Sequence, residues 1–157
     1  MRIIAIAAAL LIAPLATACQ QTADRAEQPA ELLTVSIRTA TGARHDFKVE
    51  VARTAAAQER GLMYRTELSA DGGMLFPFQA PEPRTFWMKN TAIPLDMLFI
   101  RQDGSIAKLA EQTIPQSLDP VVCTEPVVAV LEIAGGRAAA LGISEGDHVG
   151  WDGGPAK

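Results

Sequence analysis

Apolar and polar residues alternate one by one over several stretches of this chain, the period of a half-buried β-strand. Leu33-Thr34-Val35-Ser36-Ile37 and Phe47-Lys48-Val49-Glu50-Val51 both follow it. Thr41 to Arg44, with Gly42, is the turn between them, so the pair predicts a hairpin. Thr54 is placed to cap a short helix that runs to Arg60 and ends at Gly61. Gly72-Gly73 reads as a turn, Met74-Leu75-Phe76 as a buried strand stopped by Pro77, and Pro81 with Pro83 as a loop. Strand-like runs follow at Thr85 to Met88, Leu95 to Ile100 and Ser105 to Leu109, the last two joined by a tight turn at Asp103-Gly104. A proline-rich loop is expected from Pro115 to Pro126, then a strand at Val127 to Ile133. Gly135-Gly136 precedes a small helix, Arg137 to Leu141, ended by Gly142, and Gly146-Asp147 turns into a last strand at Val149 to Trp151. About eight short strands with two short helices predict a mostly β (α+β) fold, a small antiparallel barrel or sandwich in one domain over residues 32–152. The helices are too few for regular βαβ alternation, and no internal repeat is visible.

Residues before the domain follow a different pattern. Arg2 gives a positive start, Ile3 to Ala13 is unbroken apolar sequence, and Pro14 leads into Leu15-Ala16-Thr17-Ala18-Cys19. Charged start, apolar middle and small-residue site are the layout of a secretory signal peptide, here residues 1–18. A membrane-spanning helix wants about 20 apolar residues, more than this run has. Two cleavage chemistries stay open. Ala16-Thr17-Ala18 suits an ordinary signal peptidase. Leu15 to Cys19 also resembles a lipobox, with Cys19 as the lipidated first residue, although Leu15 sits one position early. Residues 19–31 are polar, mixed in charge and without an apolar period, which predicts a flexible linker or tether. The expected location is therefore exported and periplasmic, held at a membrane only through a lipid anchor on Cys19.

Composition adds exclusions. The chain has 157 residues, a hydrophobic fraction of 48% and a charged fraction of 20%, which is ordinary globular usage with enough chain for one core. A formal net charge of -4 argues against a nucleic-acid partner, whose phosphates need a basic surface. Two cysteines imply no disulfide framework.

Four ordered blocks carry a resemblance: Glu59 to Arg65 (ERGLMYR), Gly73 to Phe76 (GMLF), Phe86 to Thr91 (FWMKNT) and Ile93 to Asp96 (IPLD). The tail at Val130 to Gly136, Leu141 to Ile143 and Gly146-Asp147 fits the same pattern. Together they resemble the bacterial and archaeal domain-of-unknown-function family 192 over about Leu32 to Trp151. The resemblance implies a small, mostly exported, mostly β domain. It implies no established activity, cofactor or catalytic residue.

The densest block supplies the candidate ligand site: Trp87 for stacking, Lys89 and Arg65 for an anionic group, and Asn90 and Asp96 for orientation. Polar groups beside aromatic surface are the usual makeup of a binding pocket. The competing reading is structural: Asn90 and Asp96 fix turns, Lys89 pairs with Asp96, and Trp87 is core. Met63, Met74, Met88 and Met97 lack the spacing of a copper tract and read as core filler. Gly142 to Gly146 matches G-x-S-x-G literally, but a helix precedes it and a strand follows, so it reads as a turn. Cys123 is a nucleophile only if His45 or His148 is folded against it; otherwise it is a buried inert thiol. No metal-ligand spacing, phosphate loop or dinucleotide fingerprint occurs, so neither metal nor cofactor is expected. The expected function is an envelope binding or accessory module for a small molecule, glycan or peptide. Two alternatives remain: an envelope enzyme using Cys123 or a carboxylate pair, and a structural or chaperone-like partner domain.

Overall fold

The computed structural model describes residues 32–155. The segments expected as signal peptide and linker, with Cys19, lie outside the described residues. Among the described residues seven strands form one curled sheet: β1 (Leu32–Arg38), β2 (Arg44–Val51), β3 (Gly72–Phe86), β4 (Leu95–Ile100), β5 (Ile106–Ala110), β6 (Val121–Ala134) and β7 (His148–Trp151). Their spatial order is β5-β4-β6-β3-β2-β1-β7. Two short helices, α1 (Ala55–Arg60) and α2 (Arg137–Leu141), complete the mostly β fold that the alternation predicts. The two edge strands approach each other. Ser105 and His148 form an antiparallel bridge, and the Ile106 N–H donates to Asp147 O at 2.9 Å, so the sheet curls toward a barrel with its edges covered.

Three expectations are corrected. The sheet is not wholly antiparallel, because β2 and β3 pair in parallel from Lys48 with Gly72 to Val51 with Leu75. A parallel pair needs a long crossover, and the segment holding α1 supplies it. Gly72 and Gly73 do not make a turn; they open β3. A Cβ on Gly73 would sit 2.3 Å from the Glu132 carbonyl oxygen, so the missing side chain serves close strand packing. Finally, the prolines do not stop strands. Pro77, Pro81 and Pro83 lie inside β3, and Pro126 lies inside β6. The β3–β6 ladder breaks register between Pro77 and Glu82 and again before Arg84, where missing proline donors are tolerated. The strand expected at residues 74–76 and the start of the one expected at 85–88 thus belong to one bent strand that ends at Phe86, with Trp87 and Met88 beyond it, which accounts for seven strands instead of eight.

Both faces of the central strands are buried, as the unbroken burial of β4 requires. Val35, Ile37, Phe47, Val49, Leu75, Leu98, Leu131 and Ile133 fill the cluster on one face. Met74, Phe76, Met97, Phe99 and Val130 belong to the cluster on the other. The alternation is strict: Leu131 and Ile133 go one way, Val130 the other. By that rule Glu132 projects on the Val130 side, between Met74 of β3 and Met97 of β4, its cross-strand neighbours. The bend in β3 brings Phe86 edge-on to Phe76 at 5.2 Å and to Phe99 at 5.9 Å. Such T-shaped contacts suit the ring quadrupoles.

Candidate functional site

A cavity of about 350 Å³ opens over this second cluster. Three short segments wall it. Helix α1 and its exit give Gln58, Glu59, Arg60, Leu62 and Met63; β3 and its exit give Phe76, Phe86, Trp87 and Lys89; Leu118 and Pro120 close the third side. Glu132 also lines it.

The local sequence sets these walls. Thr54 caps α1 by accepting the Ala57 N–H at 3.1 Å, and Gly61 ends the helix at φ 48. The bordering loops are stitched together by backbone. Tyr64 N–H donates to Asn90 O at 2.8 Å, Gln116 N–H to Thr91 O at 2.9 Å, and Met88 N–H to Ser117 O at 3.0 Å. Among the described residues, the non-glycines with positive φ are Tyr64, Asn90, Gln112 and Gln116, all in these loops. Backbone strain of this kind persists only where the surroundings hold it, and it gathers at binding sites. The same loops expose Tyr64, Trp87, Ile114 and Leu118, of which Trp87 and Leu118 line the cavity.

Glu132 is the chemically unusual group. It is 4% exposed, and its carboxyl has no hydrogen-bond or ion-pair partner among the described residues. Burial pushes its pKa from 4.5 up to about 8, so it is mostly protonated at neutral pH. Leaving a buried carboxyl unpaired costs roughly 1–3 kcal/mol on mutational evidence from other proteins. A perturbed acid facing a cavity is the usual mark of a functional site.

Of the five candidate residues, two line this cavity. Trp87 is 50% exposed at its mouth, with the Lys89 Nζ 5.1 Å from the ring centroid. The other three are placed elsewhere. Arg65 pairs with Glu50, its Nη2 2.6 Å from Oε2. Asn90 donates through Nδ2 to Tyr64 Oη at 3.0 Å and bears on the Met63 sulfur at 3.8 Å. Asp96 is fully buried and accepts three backbone N–H groups, from Gln112 at 2.7 Å, Gly136 at 2.9 Å and Ala138 at 2.8 Å, which fixes the start of α2. Lys89 does not pair with Asp96. The residue reading missed Glu132, although one charge inside the apolar run Val127 to Ile133 was a visible signal.

The remaining sequence candidates are engaged in the fold. Cys123 is 3% exposed within the second cluster, and its thiol faces Glu125 O at 3.7 Å. Gly142 to Gly146 is a turn in which Ser144 N–H donates to Asp147. Met74, Met88 and Met97 are core. Among the described residues no cluster of three His, Cys, Asp or Glu is placed to hold a metal ion, and no helix is long and apolar enough to cross a membrane. A second cavity, about 720 Å³ between Ser36, Arg44, Asp103, His148 and Trp151, holds no comparable group. There Arg44 and Ser36 both bond Asp46, and Asp103 bonds Ser105. Those bonds hold Asp46 and Asp103 below the ordinary carboxylate range.

Comparison with known proteins agrees with the architecture. The family model of DUF192, described as an uncharacterized ACR, matches residues 36–151. No curated protein matches the chain. Two crystal structures are similar. One is a protein of Sinorhizobium meliloti 1021 described as a candidate transcription regulator, 43% identical, with a TM-score of 0.77, covering 79% of this chain and 96% of that one. The other is a protein of unknown function from Novosphingobium aromaticivorans DSM 12444, also 43% identical, with a TM-score of 0.76, covering 82% of this chain and 91% of that one.

Proposed function

This chain belongs to the DUF192 family, and from that premise we propose that it is a binding or accessory module of the cell envelope whose ligand sits in the Glu132 cavity. The observation that carries this reading is Glu132 itself, a buried carboxyl without a partner, held at stability cost where a ligand can reach it. Trp87 and Lys89 at the mouth supply a stacking face and a charge. The occupant is a small molecule or the end of a glycan or peptide, since the cavity is at the lower end of ligand-pocket volumes. Export rests on residues 1–18, and anchoring on lipidation of Cys19. The transcription-regulator description of the Sinorhizobium relative is not adopted, because the net charge of -4 disfavours DNA.

One observation favours an enzyme as the second reading. Glu59 and Glu132 line the same cavity, and a pair of carboxyls is what acid–base hydrolysis uses. The thiol version has less support, because Cys123 faces a carbonyl inside the core.

Native mass spectrometry of the protein isolated gently from an envelope extract tests the binding reading. The expected result is a stoichiometric bound mass that disappears in Thr85→Trp, which fills the cavity from an exposed wall position. Retention of the same mass by that variant would move the ligand elsewhere. An apo protein that cleaves envelope glycans, and stops in Glu59→Gln, would establish the enzyme instead.

A further inference from the structure

We infer that the Glu132 cavity takes an apolar molecule bearing a carbonyl-type oxygen, which the Glu132 carboxyl receives by donating its proton as a hydrogen bond. The inference rests on the binding reading and adds the chemistry of the ligand.

The polar groups of the wall are mostly committed. Gln58 Nε2 donates to Ala52 O at 3.1 Å and to Pro77 O at 2.9 Å, and Thr91 Oγ1 donates to Lys89 O at 3.3 Å. Among the described residues of this wall, Glu132 alone combines deep burial with an uncommitted hydrogen-bonding group. Around it the wall is Leu62, Phe76 and Phe86, which asks for an apolar ligand body.

Charge selects the partner of the carboxyl. Helix α1 brings Glu59 and Arg60 to the cavity, and the segment after β3 brings Lys89; the facing residues of β3 and β4, Met74 and Met97, are uncharged. A cationic ligand would pass Lys89, then require Glu132 to ionise in an apolar site, where desolvation opposes the ion pair. An oxygen acceptor meets neither obstacle. Because burial raises its pKa to about 8, the carboxyl already carries the proton at neutral pH. A carboxylic acid kept neutral so that it can donate is an established catalytic and binding device.

Three probes of one shape test this on the purified protein: acetophenone, cumene and 1-phenylethylamine, followed by NMR titration at pH 7 and pH 9. Acetophenone offers the oxygen, cumene no polar group, and the amine a cation. In the wild type, acetophenone affinity should fall about tenfold from pH 7 to pH 9 as the carboxyl ionises, while cumene changes little. In Glu132→Gln, which keeps a donor but cannot titrate, the fall should vanish. In Glu132→Leu the preference for acetophenone over cumene should drop about tenfold, the worth of one hydrogen bond. An unchanged preference in Glu132→Leu, or tightest binding of the amine at pH 7, overturns the inference and leaves the cavity as a binding site. Failure of all three probes to shift cavity residues overturns the binding reading as well.

Discussion

Asn90 and Tyr64 hold each other at two points: the Asn90 carbonyl accepts the Tyr64 N–H at 2.8 Å, and the Asn90 side-chain amide donates to the Tyr64 hydroxyl at 3.0 Å. Both residues have positive φ, 55° and 65°. Asn tolerates that conformation better than other side chains, because its short polar group bonds locally. Asn90→Ala should therefore cost about 2 kcal/mol, part backbone strain and part lost hydrogen bond. Asn90→Gly should cost about half as much, since glycine removes only the bond. Chemical denaturation of the two variants measures the difference. Equal losses would mean that the backbone conformation contributes nothing.

Asp96 supports α2 and not the cavity. Its two oxygens take three N–H groups from Gln112, Gly136 and Ala138 in a fully buried position. Asp96→Ala orphans all three and should cost on the order of 3–5 kcal/mol. Asp96→Asn keeps one acceptor and should cost about 1–3 kcal/mol. Hydrogen exchange at Ala138 should accelerate in both variants, while probe binding per folded molecule stays unchanged. A loss of binding by folded Asp96→Asn would return Asp96 to the ligand site.

Gly73 sets how closely β3 lies on β6. A Cβ there would come within 2.3 Å of the Glu132 carbonyl oxygen and 3.3 Å of side-chain carbons of Val49 and Ile133. Backbone on one side and fully buried side chains on the other leave nothing free to yield. Gly73→Ala should cost at least about 2–3 kcal/mol and shift Glu132, so affinity for acetophenone falls along with stability. At Gly42, in the β1–β2 turn, nothing lies within 4 Å, and Gly42→Ala should cost about 1 kcal/mol through its φ of 87° alone. Thermal melts of the pair separate crowding from backbone preference.

Much of the fold was legible because local rules dominated it. The β1–β2 hairpin, the Thr54 and Gly61 caps of α1, the Asp103-Gly104 turn and the α2 segment all follow from periods and caps that act within a few residues. The errors fell where long-range pairing overrode a local signal. Proline normally ends a strand, yet Pro77, Pro81 and Pro83 persist in β3 because a register break absorbs their missing donors. Glycine pairs normally turn, yet Gly73 is there for close contact with a strand some sixty residues away in sequence. The site was half legible for the same reason. Trp87 and Lys89 sit in the densest motif, whereas Glu132 looked like one more charge until both its cross-strand neighbours proved to be buried methionines.

Those two methionines give Glu132 a measurable effect on the whole fold. In the unfolded chain its carboxyl ionises near 4.5; in the folded protein burial delays this to about 8. Between those values the folded state holds a proton that the unfolded state has released. Stability must therefore fall as pH rises through this window, by up to about 1.4 kcal/mol per pH unit, and level off above pH 8. Carboxylates shifted downward act in a different window. Asp46, Asp103 and Glu125 are stabilised as anions by Ser36, Ser105 and Arg101, so their contributions are complete above their ordinary values of 3.8, 3.8 and 4.5 and are lost only in more acidic solution. The two effects together place maximum stability in mildly acidic solution, near pH 5, and make the protein less stable at pH 8 than at pH 5. Glu132→Gln should flatten the neutral limb and leave the acid limb in place. Glu132→Leu should flatten it and also raise Tm at pH 8, because an apolar side chain replaces a carboxyl with no partner. Urea denaturation from pH 3 to pH 9 on the three proteins measures both limbs. A wild-type profile that is flat between pH 5 and pH 8 would mean that Glu132 has a partner or water access in solution, and the cavity would lose the group that distinguishes it.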